Sequence, residues 1–266
     1  MCLPHLNIIN SSFILHFQPQ YEIVDDKLFM YGAEALIRMH SVDGLIYPDA
    51  FIPIYEQNGN IQHLGKFVIH EGLSTLQKWG ENKHTENLSL SINISPIQLL
   101  SSNFLYCLNE ALSTYKFNKS NLILEITESI PMNISKECIK KLETIKSYGV
   151  RLSLDDFGTE FSSLKSLLTL PIDEVKIDRF FISKLASCCS QTETSIEIVN
   201  SISKISKTTN SIVLAEGVET IEEFKILKKM GIINFQGYLF SKPIKIEDIN
   251  SNIKENGLEL DVSPHR

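Results

Sequence analysis

The sequence predicts an α/β fold, a (β/α)₈ barrel with an irregular start, and three observations support this. The chain has 266 residues, close to the roughly 250 that such barrels commonly occupy as one domain. Short β-branched runs alternate with longer helical patterns, and strand–helix–strand crossovers force parallel pairing. With 43% apolar residues, the chain can bury a substantial core. A doubly wound open sheet is the competing architecture.

Eight runs have the length and composition of strands. They span residues 13–19, 27–38, 88–94, 122–127, 150–155, 174–178, 211–216 and 232–236. The first two runs lie close together and precede the first long helical pattern. This departure from strict alternation predicts the irregular start of the barrel.

Helical patterns lie between the later runs, at 62–79, 103–115, 134–148, 191–208 and 220–230. The last opens with Thr220 and Glu223, a capping-box pair. The Ser/Thr-rich segment at 191–208 carries Ile196, Val199, Ile202 and Ile205 on one helical face, which favours a packed helix over a linker. We therefore expect a single domain over residues 1–266, with a core at about 13–250 and a C-terminal tail at about 251–266.

Composition excludes several classes of protein. A formal charge of −7 argues against a general electrostatic grip on DNA or RNA. The five cysteines form neither a CxxC pair nor a zinc-ligand spacing, so a reducing cytoplasm fits best. No apolar run approaches the roughly 18 residues of a membrane span. We expect a cytoplasmic protein without a membrane span.

Polar side chains stand at the ends of the predicted strands. The run RLSLDD (151–156) places two aspartates side by side, which costs free energy unless a cation or hydrogen bonds compensate. Each such residue alone is commonly a helix N-cap. Six strand ends with this property are hard to explain by capping, and a parallel barrel gathers all of them on one face. The residues concerned are Asn93, Glu125, Asp155, Asp156, Lys176, Asp178, Glu216 and Gln236.

Several carboxylates with one amide carbonyl suit Mg²⁺ or Mn²⁺, which prefer oxygen ligands. Adjacent aspartates could serve two ions, as in two-metal phosphoryl displacement. Lys176 would then orient the attacking water or stabilise charge on phosphorus, and Glu216 would be a further ligand or a general base. The chain contains no G-x-S-x-G, P-loop, H-E-x-x-H or G-x-G-x-x-G motif.

Eight sequence blocks follow one another from about residue 13 to 243: FQP, EALIR, SINIS, LEITES, LDDFGT, VKID, AEGVET and QGYLFSKP. In this order they resemble the EAL-domain family of cyclic diguanylate phosphodiesterases. The resemblance implies a modified (β/α)₈ TIM-like barrel in which one early strand is reversed. This would make the irregular start partly antiparallel.

The resemblance also implies roles for individual residues. Lys176 matches the lysine that contacts the catalytic water, and Glu216 matches a base or second-metal ligand. Glu128 and Glu219 match glutamates that support the site. The metal ligands would be Glu34, Asn93, Glu125, Asp155 as the bridge, and Asp156. Residues near the nucleotide would be Gln18, Arg38, Asp178, Gln236 and Tyr238.

The implied reaction is hydrolysis of one phosphodiester of cyclic di-GMP to linear pGpG, with two divalent cations as cofactors and a homodimer as the assembly. A catalytically weak cyclic di-GMP receptor or protein-interaction module is the alternative. One position departs from the family pattern, since Glu160 stands where glycine is usual. A glutamate there would cost about 1 kcal/mol if that position needs φ > 0.

Overall fold

The computed structural model of the chain describes residues 13–42, 44–127, 135–158, 164–187 and 190–253. One sheet contains the nine strands of this part of the chain. The strands are β1 Phe13–Val24, β2 Lys27–Ser41, β3 Gly44–Ile46, β4 Ser89–Ile94, β5 Leu122–Thr127, β6 Arg151–Phe157, β7 Glu174–Ile177, β8 Ile212–Ala215 and β9 Asn234–Phe235. The helices are α1 Pro48–Gln57, α2 Ile61–Gly80, α3 Pro96–Leu100, α4 Phe104–Thr114, α5 Lys136–Ser147, α6 Leu164–Thr169, α7 Arg179–Leu185, α8 Thr192–Thr208, α9 Ile221–Lys229 and α10 Ile249–Asn252.

Eight of these strands close into a barrel. Their order is β1-β9-β8-β7-β6-β5-β4-β2, and the pairing of β1 with β2 completes the circle. Strand β1 runs antiparallel to both neighbours, whereas β2 and β4 to β9 are parallel. The predicted barrel with a partly antiparallel start is confirmed. The open-sheet alternative is wrong, because β1 pairs on both sides.

A tight hairpin produces the reversed strand. Asp25 and Asp26 both have positive φ, 49° and 65°, which suits a two-residue turn between twisted strands. The turn pairs β1 with β2 along their lengths, from Val24 opposite Lys27 to Phe13 opposite Met39. Strand β1 is therefore longer than the predicted run at 13–19.

The parallel strands place apolar side chains outward and polar ones inward. Ile92 packs on α2, because a Cβ added at Gly72 would lie 2.4 Å from Ile92 Cδ1. Its neighbours Ser91 and Asn93 therefore point into the barrel, since side chains alternate along a strand. Leu152 and Leu154 of β6 and Val175 and Ile177 of β7 repeat the pattern and are buried. The main apolar core lies between the strands and the helices.

The five predicted helices are confirmed as α2, α4, α5, α8 and α9. In α9 the Thr220 hydroxyl accepts from the Glu223 N–H at 3.2 Å, and Glu223 Oε2 accepts from the Thr220 N–H at 3.0 Å. In α8 Val199 and Ile202 are buried, as the packed-helix interpretation requires. Helices α1, α3, α6 and α7 were not predicted. All have ten residues or fewer, and α1 contains an internal proline, Pro53.

Among the described helices, none has the length and apolarity that crossing a bilayer requires. A 3₁₀ turn at Ile246–Asp248 and the short helix α10 form the C-terminal end of the described chain. Residues 254–266, which include most of the predicted tail, lie outside the described part of the chain.

Gly237 allows two site-bearing loops to touch, so we predict that Gly237→Ala destabilises the barrel. Val218 lies in the loop after β8, and a Cβ at residue 237 would lie 2.0 Å from its carbonyl oxygen and 2.4 Å from its nitrogen. Overpacking of this kind costs about 1–3 kcal/mol or more. Urea unfolding checks the prediction.

Gly80→Ala is the matched control, because nothing lies within 4 Å of its added Cβ at the end of α2. We expect it to leave the unfolding midpoint unchanged or slightly raised. Equal midpoints for the two variants would contradict the proposed contact between the loops.

Candidate active site

Four carboxylates meet at the carboxyl ends of the parallel strands. Glu34 lies on β2, Glu125 on β5 and Asp155 on β6, and Glu216 directly follows β8. The register aligns Asn93 with Glu125 across β4 and β5, so the two side chains point into the barrel at the same level. Glu125 is 1% exposed, which makes this a buried acidic cluster rather than a solvated rim.

Lys176 of β7 occupies the centre of the cluster. Its Nζ lies 2.7 Å from Glu216 Oε1, 2.9 Å from Glu125 Oε2, 3.0 Å from Asp155 Oδ1 and 3.6 Å from Glu34 Oε2. Its side chain is 1% exposed. Lys176 is therefore a buried lysine, and the nearby carboxylate of Asp173 pairs with Lys146 instead.

Burial and mutual repulsion control the protonation of the cluster. Burial raises the pKa of Glu125 well above its usual range, and the charge of Glu34 adds to the shift. Burial likewise raises the pKa of Glu216, with Asp155 contributing. For Lys176, burial favours the neutral amine, but the carboxylates outweigh it and the pKa is raised well above normal. The lysine stays charged, and some carboxyls keep a proton when no other cation is bound.

Primary amides fix the orientation of Glu34. Asn93 Nδ2 donates to Glu34 Oε1 and Gln236 Nε2 donates to Glu34 Oε2, both at 2.7 Å. Burial opposes ionisation of Glu34, but Lys176 and these two donors outweigh it and lower the pKa. Gln236 Nε2 also donates to Gln18 Oε1 at 3.2 Å, and Gln20 Nε2 donates to Gln236 Oε1 at 2.9 Å. Sequence reasoning missed Gln20, although it shares a strand face with Gln18.

A bulge explains how two adjacent aspartates serve one site. The register between β6 and β7 shifts between Leu154 and Phe157, and Asp156 has φ of 55°. A regular strand would send neighbouring side chains to opposite faces, but a bulge redirects one of them. Carboxylate oxygens of Asp155, Asp156 and Glu216 consequently lie within 4.8 Å of one another. The Asp156 N–H also donates to Asp155 Oδ1 at 3.0 Å.

Asp156 holds its proton more tightly than an ordinary aspartate. Although it lies at the rim, partial loss of hydration and the charges of Asp155 and Asp178 raise its pKa to about 6. Asp178 itself caps α7, where its Oδ1 accepts from the Phe180 N–H at 2.6 Å. The capping interpretation of Asp178 is therefore confirmed, and its charge also acts on Asp156.

The donor set fits hard divalent cations. Four carboxylates surround a single ammonium group, and Glu125 Oε1 is buried without a hydrogen-bond partner. Carboxylate oxygens are the preferred ligands of Mg²⁺, Mn²⁺ and Ca²⁺. A bound cation would offset the repulsion that, in addition to burial, raises the pKa values of Glu125 and Glu216.

The other predicted residues that the structure describes lie around the cluster. Arg38 is buried, donates through Nη1 to the Ile37 carbonyl at 2.9 Å and lies 4.9 Å from the Tyr47 ring centroid. Tyr238 is 55% exposed. Glu219 is exposed and pairs with Arg179, a residue that sequence reasoning did not select. Glu128 and Glu160 lie outside the described residues. The effect of Glu160 on its loop therefore stays a prediction.

Two cavities meet at Asp155. One, of about 230 Å³, lies over Glu34, Lys176 and Glu216 and extends to Tyr238. The other, of about 520 Å³, runs between α1, α2 and α3 and also contains Asn93 and Asp156 in its wall. The acidic cluster thus lies between a small polar cavity and a larger, more apolar cleft, an arrangement suited to a ligand with polar and apolar parts.

Comparisons with known proteins agree with this arrangement. The EAL domain family model matches residues 5–243. The oxygen sensor protein DosP of Escherichia coli is 36% identical over 244 residues, covering 91% of this chain and 30% of that protein. The bifunctional diguanylate cyclase/cyclic di-GMP phosphodiesterase MucR of Pseudomonas aeruginosa is 34% identical over 241 residues, covering 90% of this chain and 34% of that protein.

The solved structure of the PaMucR phosphodiesterase in complex with c-di-GMP superposes with a TM-score of 0.82. It is 34% identical and covers 89% of this chain and 94% of that one. The chain spans about a third of the length of the curated relatives DosP and MucR. The match over residues 5–243 and the identity to these relatives show that the chain belongs to the EAL domain family.

Proposed function

We propose that this chain is a metal-dependent phosphodiesterase that hydrolyses cyclic di-GMP to linear pGpG. The observation that carries the proposal is the convergence of Glu34, Glu125, Asp155 and Glu216 on Lys176 at the carboxyl ends of the strands. Family membership supports the substrate, since MucR is named as a cyclic di-GMP phosphodiesterase and its structure was solved with c-di-GMP.

Two divalent cations, Mg²⁺ or Mn²⁺, would be held by Glu34, Asn93, Glu125, Asp155 and Asp156, with Glu216 as a further ligand or as general base. When bound, such ions lower the pKa of water and neutralise phosphate charge. Asn93 and Gln236 orient Glu34 by hydrogen bonds to its two oxygens. Lys176, fixed at the centre, would hold the attacking water and oppose charge that develops on the phosphate.

The surrounding residues would bind and position the nucleotide. We propose that Gln18, Arg38, Asp178, Gln236 and Tyr238 lie near the substrate, and that Glu219 acts from the rim of the site and Glu128 supports the loop after β6. A homodimer, a cytoplasmic location and the assignment of residues 1–266 to one domain stay predictions.

Asp155→Asn should abolish turnover while the barrel stays folded, since Asp155 is the proposed bridging ligand. The assay incubates protein, cyclic di-GMP and Mg²⁺ or Mn²⁺ and separates the products, with circular dichroism as the check on folding. Wild-type protein should release linear pGpG. Binding without product would indicate the receptor alternative, and neither binding nor turnover would refute both. Near wild-type turnover in the variant would remove Asp155 from the mechanism.

Removal of the central ammonium should make the metal-free protein depend on added cations. In Lys176→Met the carboxylates lose their only close positive partner among the described residues, and breaking such a buried arrangement typically costs about 3–5 kcal/mol. We expect a large loss of thermal stability at pH 8 in EDTA, and a larger gain on adding Mn²⁺ than in wild type.

Lys228→Met is the control for this prediction, because its ion pair with Asp26 is exposed. Its melting temperature should stay within about 1–2 °C of wild type, as exposed pairs contribute little. If Mn²⁺ raises the melting temperatures of wild type and Lys176→Met by the same amount, Lys176 and a bound metal do not share the carboxylates.

Apparent metal affinity should fall as the pH drops through about 6. Asp156 has a raised pKa of about 6, so below that pH a proton competes with the cation for its carboxylate. The same shift means that the native state binds this proton more tightly than the unfolded chain. Asp156 therefore makes the metal-free protein more stable as the pH falls from 7 towards 5.

Calorimetric titration with Mn²⁺ at pH 7.5, 6.5 and 5.5 measures the effect. We expect affinity to fall over the whole range, because Glu125 and Glu216, whose pKa values burial raises, also exchange protons for the cation. Below about pH 6, where Asp156 takes up its proton, the loss should steepen by up to about tenfold per pH unit. An affinity that is constant down to pH 5.5 would show that no ligand titrates in this range.

A further inference from the structure

We propose that Arg179 binds the phosphodiester of the cyclic dinucleotide that is not being hydrolysed. This inference rests on the proposed function, because it names one more contact with the same substrate. Arg179 is the first residue of α7 and lines the polar cavity together with Asp155, Lys176, Glu216 and Tyr238.

Arg179 is the basic side chain that a ligand can reach in this cavity. Among the described residues that line it, Lys176 and Arg179 are the cations. Lys176 is 1% exposed and already lies within 4 Å of four carboxylates. The side chain of Arg179 is 61% exposed. An anion that enters the cavity therefore meets the guanidinium group first.

The backbone places the stem of the Arg179 side chain next to the site. Gly217 directly follows Glu216 and has φ of +63°, and a Cβ built on it would lie 2.5 Å from both Cβ and Cγ of Arg179. The arginine stem thus packs flat on the loop that carries Glu216. At the other end, Asp178 caps α7 and holds its first turn. The stem of the side chain is consequently placed beside the loop that carries Glu216.

An anionic ligand can displace Glu219, the ion-pair partner of Arg179. Arg179 Nη2 lies 2.9 Å from Glu219 Oε1, and the Glu219 side chain is 37% exposed. Exposed ion pairs contribute little to stability, because water screens them. A guanidinium group carries five N–H donors and binds phosphate oxygens in a bidentate manner. A phosphate can therefore share Arg179 with Glu219 or replace it.

Charge balance supplies the reason for such a contact. Besides Arg179 and Lys176, the cavity wall contains the acidic residues Glu34, Asp155, Glu216 and Glu219. A cyclic dinucleotide has two anionic phosphodiesters, and bound cations at the acidic cluster would neutralise the one under attack. The second phosphodiester would face the remaining carboxylates without compensation. Arg179 offsets this repulsion at the rim.

The test measures kcat and KM for cyclic di-GMP with Mg²⁺ in Arg179→Gln and Arg179→Lys. Loss of a charge-assisted hydrogen bond should raise KM about tenfold or more in Arg179→Gln, while kcat stays within about twofold. The KM of Arg179→Lys should lie between those of wild type and Arg179→Gln, because lysine keeps the charge but lacks the planar guanidinium group. Lys228→Gln, which removes one exposed ion-paired cation far from the cavity, should match wild type.

The outcomes separate this inference from the proposed function. Normal wild-type turnover with an unchanged KM in Arg179→Gln overturns the inference alone. A wild-type chain that binds but does not hydrolyse cyclic di-GMP overturns the proposed function. In that case calorimetry still tests the role of Arg179, because the Kd for cyclic di-GMP should be higher in Arg179→Gln than in wild type. Arg179→Lys retains this comparison if the glutamine variant fails to fold.

Discussion

The site depends on one interaction, the burial of the Lys176 ammonium group among four carboxylates inside a barrel. Isolated buried charges are strongly disfavoured, whereas a cation surrounded by carboxylates is tolerated and keeps its proton. Lys176 has three protons for contacts with Glu216, Glu125, Asp155 and Glu34. The arrangement still contains more negative than positive charge. It is therefore a structure prepared for further cations rather than a self-sufficient salt bridge.

This interior explains the unusual sequence pattern of the strands. In RLSLDD, Leu152 and Leu154 pack towards the helices while Ser153 and Asp155 face the barrel axis. Because the apolar core lies outside the barrel wall, the interior can be given to polar groups. The layer below Asp155 and Lys176 continues in this way, since Ser153 Oγ donates to Glu174 Oε1 at 3.0 Å. The outward faces of these strands therefore form the apolar core, and their inward faces carry the polar groups of the site.

Three local irregularities adapt the regular barrel to its site. The hairpin at Asp25 and Asp26 reverses β1 and brings Gln18 and Gln20 next to Gln236. The bulge in β6 directs the Asp156 carboxylate towards the carboxylates of Asp155 and Glu216. Gly217 lets Arg179 lie beside Glu216. Each irregularity places a side chain where ideal alternation would not, which is a common use of bulges and left-handed residues at functional sites.

The sequence by itself determined the barrel class, the long helices and the acidic residues at the strand ends, because hydrophobic period and strand-end chemistry are local properties. It also contained the family pattern that implied Glu34 as a ligand. Only the tertiary structure decided that Lys176 is buried at the centre, that Gln20 joins the amide network and that Arg179 reaches the cavity. These facts depend on register, on a bulge and on contacts between residues far apart in the chain. No local pattern fixes them, because strand closure and side-chain packing arise only when the whole barrel forms.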